Sequence, residues 1–440
     1  MPYQTIPNSQ VRYALLGFDS KGNERTDDPQ ALNGKFSNRI LADVQATPPT
    51  DLFFFSHGWK GDLDSAIDQY NRWIGAMNKL DTDKQGMGPD FRPIWIGLHW
   101  PSQAWGQEKF GAGSSFALLP VTADEARKEI SDQFGDNPEV QQQLDIIFHE
   151  QEANAAAFIL PDQVKDAYNR LAGLIGYTAG GPGSAPDAEG IPFDPNRIFD
   201  AASQNDNFGG SGIGGALLAP LRILTFWTMK NRARTIGEGG MHDFIVQLMN
   251  ALPNSAFHLM GHSFGCVIVS SILCGKNGKC PLPRAIDSLA LVQGALSLWA
   301  YADQIKDSPG KIGYFNSGFH HPAVRGPIVV TRSANDAAVG LAYPAAVAIV
   351  LSDPNFALAS QLTPASLPLY GGIGTFGIRS FSNLHDQLML PAGGSYQFQS
   401  GHIYNLVGDQ FIADHNAIDG PEVAHAIWEA AIQAKTVGPK

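Results

Sequence analysis

The residues with the most chemical content lie at 256–266, AFHLMGHSFGC, where Gly261, His262, Ser263, Phe264 and Gly265 form a G-x-S-x-G motif. Ala256 to Met260 reads as a short buried strand, and Cys266 to Leu273 as a buried helix. A serine at the sharp turn between such elements is held in a strained backbone with its hydroxyl exposed. Side chains at 261 or 265 would collide where the helix folds back on the strand. The helix N-terminus aims free N–H groups and partial positive charge at the same place. The setting predicts a nucleophilic Ser263 in a reaction that develops an oxyanion. The plainer alternative, a tight turn with a surface serine, leaves the groups described next unexplained.

A serine hydroxyl needs a base to attack at neutral pH, and the base needs an orienting carboxylate. Asp336 closes the run Thr331–Asp336, TRSAND, beyond the strand PIVVTR at Pro327–Arg332. Ligand sites in open parallel sheets gather outside that end of the strands, so Asp336 is the expected acid. Asp303, after the preceding strand, is the second candidate. His415, in Asp414-His415-Asn416 between the last strand and the last helix, is the expected base. His402 precedes that strand and His425 lies inside the helix, so neither is suitably placed. Two backbone N–H donors are needed for the oxyanion. Phe264 supplies one, and Trp59, in the loop Ser56-His57-Gly58-Trp59, supplies the other. Gly58 lets backbone approach a substrate, and His57 is expected to brace this loop by a hydrogen bond rather than to react.

The elements that must position these groups alternate strand and helix. Val11–Phe18, the apolar run Asp51–Phe55, Ile94–Trp100, Leu289–Val292 and Ile403–Val407 read as further strands. Leu63, Ile67, Tyr70, Ile74, Met77 and Leu80 recur at helical spacing, and a last helix starts at Pro421. Such alternation predicts a parallel sheet covered on both faces. Residues 106–240 interrupt it, with helices expected near 123–133, 138–158 and 161–175 and an apolar segment at 216–230. Helix 241–252 then returns the chain to the strand before Ser263. A connection this long predicts a packed cap over the serine, with residues 1–105 and 241–440 as the sheet core. The alternative is an elaboration remote from the site. Gly209–Gly215 has no strand before it, so it reads as a hinge and not as a phosphate loop. A second excursion, 337–400, is rich in Ala, Leu, Gly and Pro.

Composition narrows the field. The chain is 44% hydrophobic and 16% charged, enough apolar material for a large core. A net charge of −12 gives no electrostatic case for nucleic acid. Cys266, Cys274 and Cys280 make no disulfide framework, although Cys274 and Cys280 could pair if oxidised. The motifs C-x-x-C and H-E-x-x-H are missing, so no metal or cofactor is expected. The sequence shows no secretory signal and no long apolar run, which predicts a cytoplasmic protein without a spanning segment.

Together SHGW at 56–59, GHSFG at 261–265, NDAAV at 335–339 and DHN at 414–416 resemble the α/β-hydrolase superfamily, specifically serine esterases and lipases with an HG-x oxyanion loop. The order Ser, then Asp, then His matches that superfamily. The resemblance covers most of the expected sheet, but neither 106–240 nor 337–400. It implies the α/β-hydrolase fold and hydrolysis of a small or lipid-like carboxylic ester through an acyl-enzyme. Serine, not aspartate, at 263 speaks against dehalogenase-like and epoxide-hydrolase-like members. Two other readings stand beside it. One is an acyltransferase that passes the acyl group to an alcohol. The other is a binding module on a hydrolase scaffold, since fold does not fix function.

Overall fold

Period-two alternation of buried side chains organises the molecule around one sheet. The computed structural model describes residues 3–59, 63–102, 123–135, 137–154, 157–203, 215–320, 323–348 and 367–435. The strands are β1 Tyr3–Thr5, β2 Arg12–Gly17, β3 Asp51–Ser56, β4 Pro93–His99, β5 Ala256–His262, β6 Ser288–Val292, β7 Ile328–Arg332, β8 Leu384–Leu388 and β9 Ile403–Val407. Their spatial order is β1-β2-β4-β3-β5-β6-β7-β9-β8, and only the β1–β2 pairing is antiparallel. The expected α/β architecture, a mostly parallel sheet flanked by helices, is present. The order reverses beside β3 and β5, the strands that end at the Ser56–Trp59 loop and at Ser263.

Each central strand feeds two apolar layers. Leu52 and Phe54 of β3 and Leu259 of β5 pack beneath the helices Gly265–Cys274, Ala219–Ile236 and His242–Ala251. Phe53, Phe55 and Met260 face the opposite layer, with the helices Leu63–Asn78 and Pro421–Lys435. Burial on both sides is why these strands read as unbroken apolar runs. The edges differ. The three-residue β1 and the polar, half-exposed β8, LHDQL, carry no apolar run and were not anticipated. Short polar edge strands are a common way to discourage pairing with other chains.

The interrupting segment carries the helices Ala123–Phe134, Pro138–Ala153 and Asp162–Leu174, then irregular chain, and then a further helix, Pro195–Ser203, for which no element was expected. These helices share an apolar cluster of their own, including Leu144, Phe148, Tyr168 and Leu171. They stack on helix Ala219–Ile236, whose Leu221 and Leu224 join that outer cluster while Phe226, Met229 and Ala233 join the sheet-side layer. Burial on both faces spreads its apolar side chains round the helix instead of along one stripe, although it also carries Arg222, Lys230 and Arg232. It kinks at Gly239 directly into His242–Ala251, so the expected limit at residue 240 falls within one helical stretch. The expected hinge at Gly209–Gly215 lies outside the described residues except for Gly215. No helix among the described residues is long and apolar enough to cross a membrane.

Leu224 is fully buried between the outer helices and the sheet-side layer. Leu224→Ala is expected to cost about 2–5 kcal/mol of stability, as large-to-small changes at closed sites do. Urea denaturation of both proteins checks this, and a loss under about 0.5 kcal/mol would contradict the sandwiched position.

Candidate active site

Ser263 follows directly on β5 with φ +55°, a left-handed conformation unusual for a residue with a side chain. Close packing enforces it. A Cβ at Gly261 would stand 2.5 Å from the Gly265 carbonyl oxygen, and one at Gly265 would collide with the carbonyl oxygen of Ser56. The Ser263 N–H donates to Val292 O (3.1 Å), and its own carbonyl accepts from Ala295 N (3.2 Å), so β6 and its loop clamp the turn.

The three predicted side chains meet although 152 residues separate Ser263 from His415. His415 Nε2 lies 2.9 Å from Ser263 Oγ, and His415 Nδ1 lies 2.9 Å from Asp336 Oδ2. Ser263, Asp336 and His415 come from the loops after β5, β7 and β9, so they share one end of the sheet. Asp336 is wholly buried, and both of its carboxyl oxygens have partners. Besides the imidazole, Oδ2 accepts from Gln293 Nε2 (2.8 Å) and Oδ1 accepts from Val339 N–H (2.9 Å). Sequence reasoning missed Gln293. It sits one residue past β6 with φ +46°, held by Thr331, whose hydroxyl donates to its Oε1 (2.9 Å). Within LVQGAL its only signal is one polar residue in an apolar run.

His262 is a second residue the motif alone did not explain. Its Nε2–H donates to the backbone carbonyl of His415 (2.9 Å), and its Nδ1 faces Gln69 Nε2 at 3.0 Å. The neighbour of the serine thus tethers the loop that carries the histidine.

His57 has the bracing contacts expected of it. Its Nδ1–H donates to Gly58 O (2.7 Å), while Nε2 accepts from Trp100 N–H (3.4 Å), which sets the tautomer. In a planar trans peptide the N–H points opposite to the C=O. With Gly58 O held by His57, the Trp59 N–H points away from that ring. Gly58 lies against the serine, since a Cβ there would stand 2.6 Å from Ser263 Cβ. The Phe264 N–H, at the N-cap of helix Gly265–Cys274, donates to no described group. The Trp59 ring stacks on Phe264 at 5.5 Å and meets Phe226 edge-on. These rings, with Val339 and Tyr343, enclose a cavity of about 40 Å³ beside Ser263 and His415.

The other candidates are engaged elsewhere. Asp303 accepts from Asn316 Nδ2 (2.8 Å), His320 Nε2 (2.5 Å) and Ser382 N–H (2.9 Å). His402 pairs with the exposed His385 (2.8 Å). Buried His425 lies between Asp83 (3.0 Å) and the Gly394 carbonyl (2.6 Å). Asp83, His425 and Glu429 bring potential ligand atoms within 4.8 Å of one another. Gly394 O can only accept, so His425 Nε2 carries a proton, and its Nδ1 is already committed to the Asp83 carboxylate. All three cysteines are free.

A second Ser/His/Asp set shows what proximity alone is worth. His258 Nδ1 lies 2.8 Å from Ser288 Oγ, and its Nε2 lies 3.2 Å from Asp51 Oδ1. This set sits where β3 and β6 begin, sealed in the core with Phe53 stacked on the imidazole. It has neither the strained turn nor the helix N-terminus. A scan against protein-family models gave no match, and neither did comparisons with curated proteins and with solved structures.

Gln293→Leu removes one of the donors to buried Asp336 and is expected to cost about 1–3 kcal/mol. Gln293→Glu adds a second carboxylate there and should cost more. Urea denaturation at neutral pH ranks the two, and the reverse order would contradict the role of Gln293 as a donor to the Asp336 carboxyl group.

Proposed function

We propose that the chain is a serine carboxylic ester hydrolase of the α/β-hydrolase type, working through an acyl-enzyme. The observation that carries this is the hydrogen-bonded line Ser263–His415–Asp336 opening on an apolar cavity beside a helix N-terminus. The sealed Asp51–His258–Ser288 set lacks that cavity-facing serine.

In this reading Ser263 Oγ attacks the ester carbonyl as its proton passes to His415 Nε2. Asp336 keeps the Nδ1–H tautomer and stabilises the imidazolium, with Gln293 and the Val339 N–H keeping the carboxylate aimed. The N–H groups of Phe264 and Trp59 receive the oxyanion; a donor of this kind is worth about 2.7–4 kcal/mol elsewhere. His415 then protonates the departing alcohol and later activates water to release the acid. No cofactor has a role. Residues 1–105 and 241–440 serve as the catalytic core, and 106–240 as a cap whose Phe226 contributes to the cavity wall.

A fluorophosphonate should label Ser263 alone, and Ser263→Ala should abolish both labelling and p-nitrophenyl ester hydrolysis; full activity in that variant would end the proposal. His415→Ala should lower kcat at least about 10³-fold. Asp336→Asn should be comparably damaging, whereas Asp303→Asn should retain activity. The opposite ranking, in folded proteins, would move the acid to Asp303.

A further inference from the structure

Immediately behind the cavity wall, three chain segments converge on one buried ion pair. Lys230 and Glu189 are both buried, and the ammonium contacts the carboxylate directly. Glu189 also accepts from the Tyr343 hydroxyl and from the backbone N–H of Ser297. Lys230 Nζ is 3.0 Å from the Tyr343 hydroxyl and lies over the rings of Tyr343 (4.6 Å), Phe226 (5.5 Å) and Trp227 (5.5 Å). Glu189 comes from the Gly/Pro-rich loop of the first excursion, Lys230 from the doubly buried helix, and Tyr343 from the second excursion.

An ion pair so placed is poor value as a source of stability, because well-packed apolar residues of similar volume do as well or better. Desolvation pushes the Glu189 carboxyl up and the Lys230 ammonium down, each offset by its partner. What the pair supplies is geometry. Two of the rings it holds, Phe226 and Tyr343, meet edge-on at 5.8 Å and form one wall of the Ser263 cavity. The ion pair and the Tyr343 hydroxyl thus tie helix Ala219–Ile236 to the chain segment that carries Tyr343. The cavity of about 40 Å³ holds roughly three water-sized groups.

We propose that Glu189, Lys230 and Tyr343 form the specificity-determining clamp of the Ser263 pocket, fixing a wall that admits acyl groups of about two to four carbons and rejects longer ones. The proposal rests on the ester-hydrolase reading. Glu189 and Lys230 are positioning residues acting through the two rings.

The test measures kcat/KM for p-nitrophenyl acetate, butyrate and octanoate with the full chain. The native protein should favour acetate or butyrate over octanoate by at least about 100-fold, within the discrimination a hydrophobic pocket reaches over several methylenes. Tyr343→Ala should lower that ratio at least about tenfold. Tyr343→Phe keeps the ring but loses its tether and should fall between. The charge-free double variant Glu189→Gln/Lys230→Met should lower the ratio in the same direction. A merely structural role would depress all three esters together and leave the ratio unchanged. Preference for octanoate in the native protein, or an unchanged ratio in folded Tyr343→Phe and in the double variant, overturns the clamp. If fluorophosphonate labels Ser263 and esters are hydrolysed without this selectivity, only the clamp fails. If Ser263 is not labelled, the hydrolase reading fails and the clamp with it.

Discussion

The left-handed backbone of Ser263 is the constraint around which the rest is arranged. A side-chain-bearing residue held there costs about 1–3 kcal/mol and persists only when its surroundings over-determine it. Here they do so from three sides. Helix Gly265–Cys274 presses against β3 so closely that position 265 has no room for a Cβ, the Gly58 backbone lies on the serine's own Cβ, and β6 with its loop hydrogen-bonds both ends of the serine's backbone. The sheet's apolar layers hold all three partners rigid. Releasing any one of them would let the turn relax toward an ordinary conformation and swing the hydroxyl away from His415.

The imidazole is positioned with equal redundancy but by polar means. His415 stands in a loop, yet its backbone is tied to His262, and its ring is held between Ser263 and a carboxylate that is itself gripped by Gln293. Gln293, like Ser263, has positive φ at the end of a strand. Two adjacent strands thus end in strained residues aimed at the same cluster, which is where local strain is expected to gather.

How much of this could be read from residue order follows from range. The buried strands and the long amphipathic helices show in local patterns, because burial on one face leaves a period and burial on both leaves an unbroken apolar run. The serine turn shows because its glycines and flanking apolar runs are contiguous. Asp336 and His415 could be placed by their positions after strands. Strands β1 and β8 left no trace, being short and polar, and helix Pro195–Ser203 hides behind a Gly/Pro-rich stretch. Gln293 and the Glu189–Lys230 pair are invisible for a different reason: each takes its meaning from partners tens to hundreds of residues away. The sealed Asp51–His258–Ser288 set makes the same point in reverse, since only the tertiary structure separates an enclosed trio of suitable residues from an accessible one.

Helix Pro421–Lys435 covers the same face of the sheet as helix Leu63–Asn78, and Trp428 Nε1 reaches the Met77 carbonyl across 351 positions of chain. At about 5–20 residues per second a ribosome takes roughly 20–70 s to make that stretch. Throughout that interval the aromatic surface of Phe53, Phe55 and Trp73 has been synthesised without its final cover. Birth on the ribosome therefore sets an order that the finished molecule does not display: helix Leu63–Asn78 is available to cover this face early, and helix Pro421–Lys435 completes the cover only at the end.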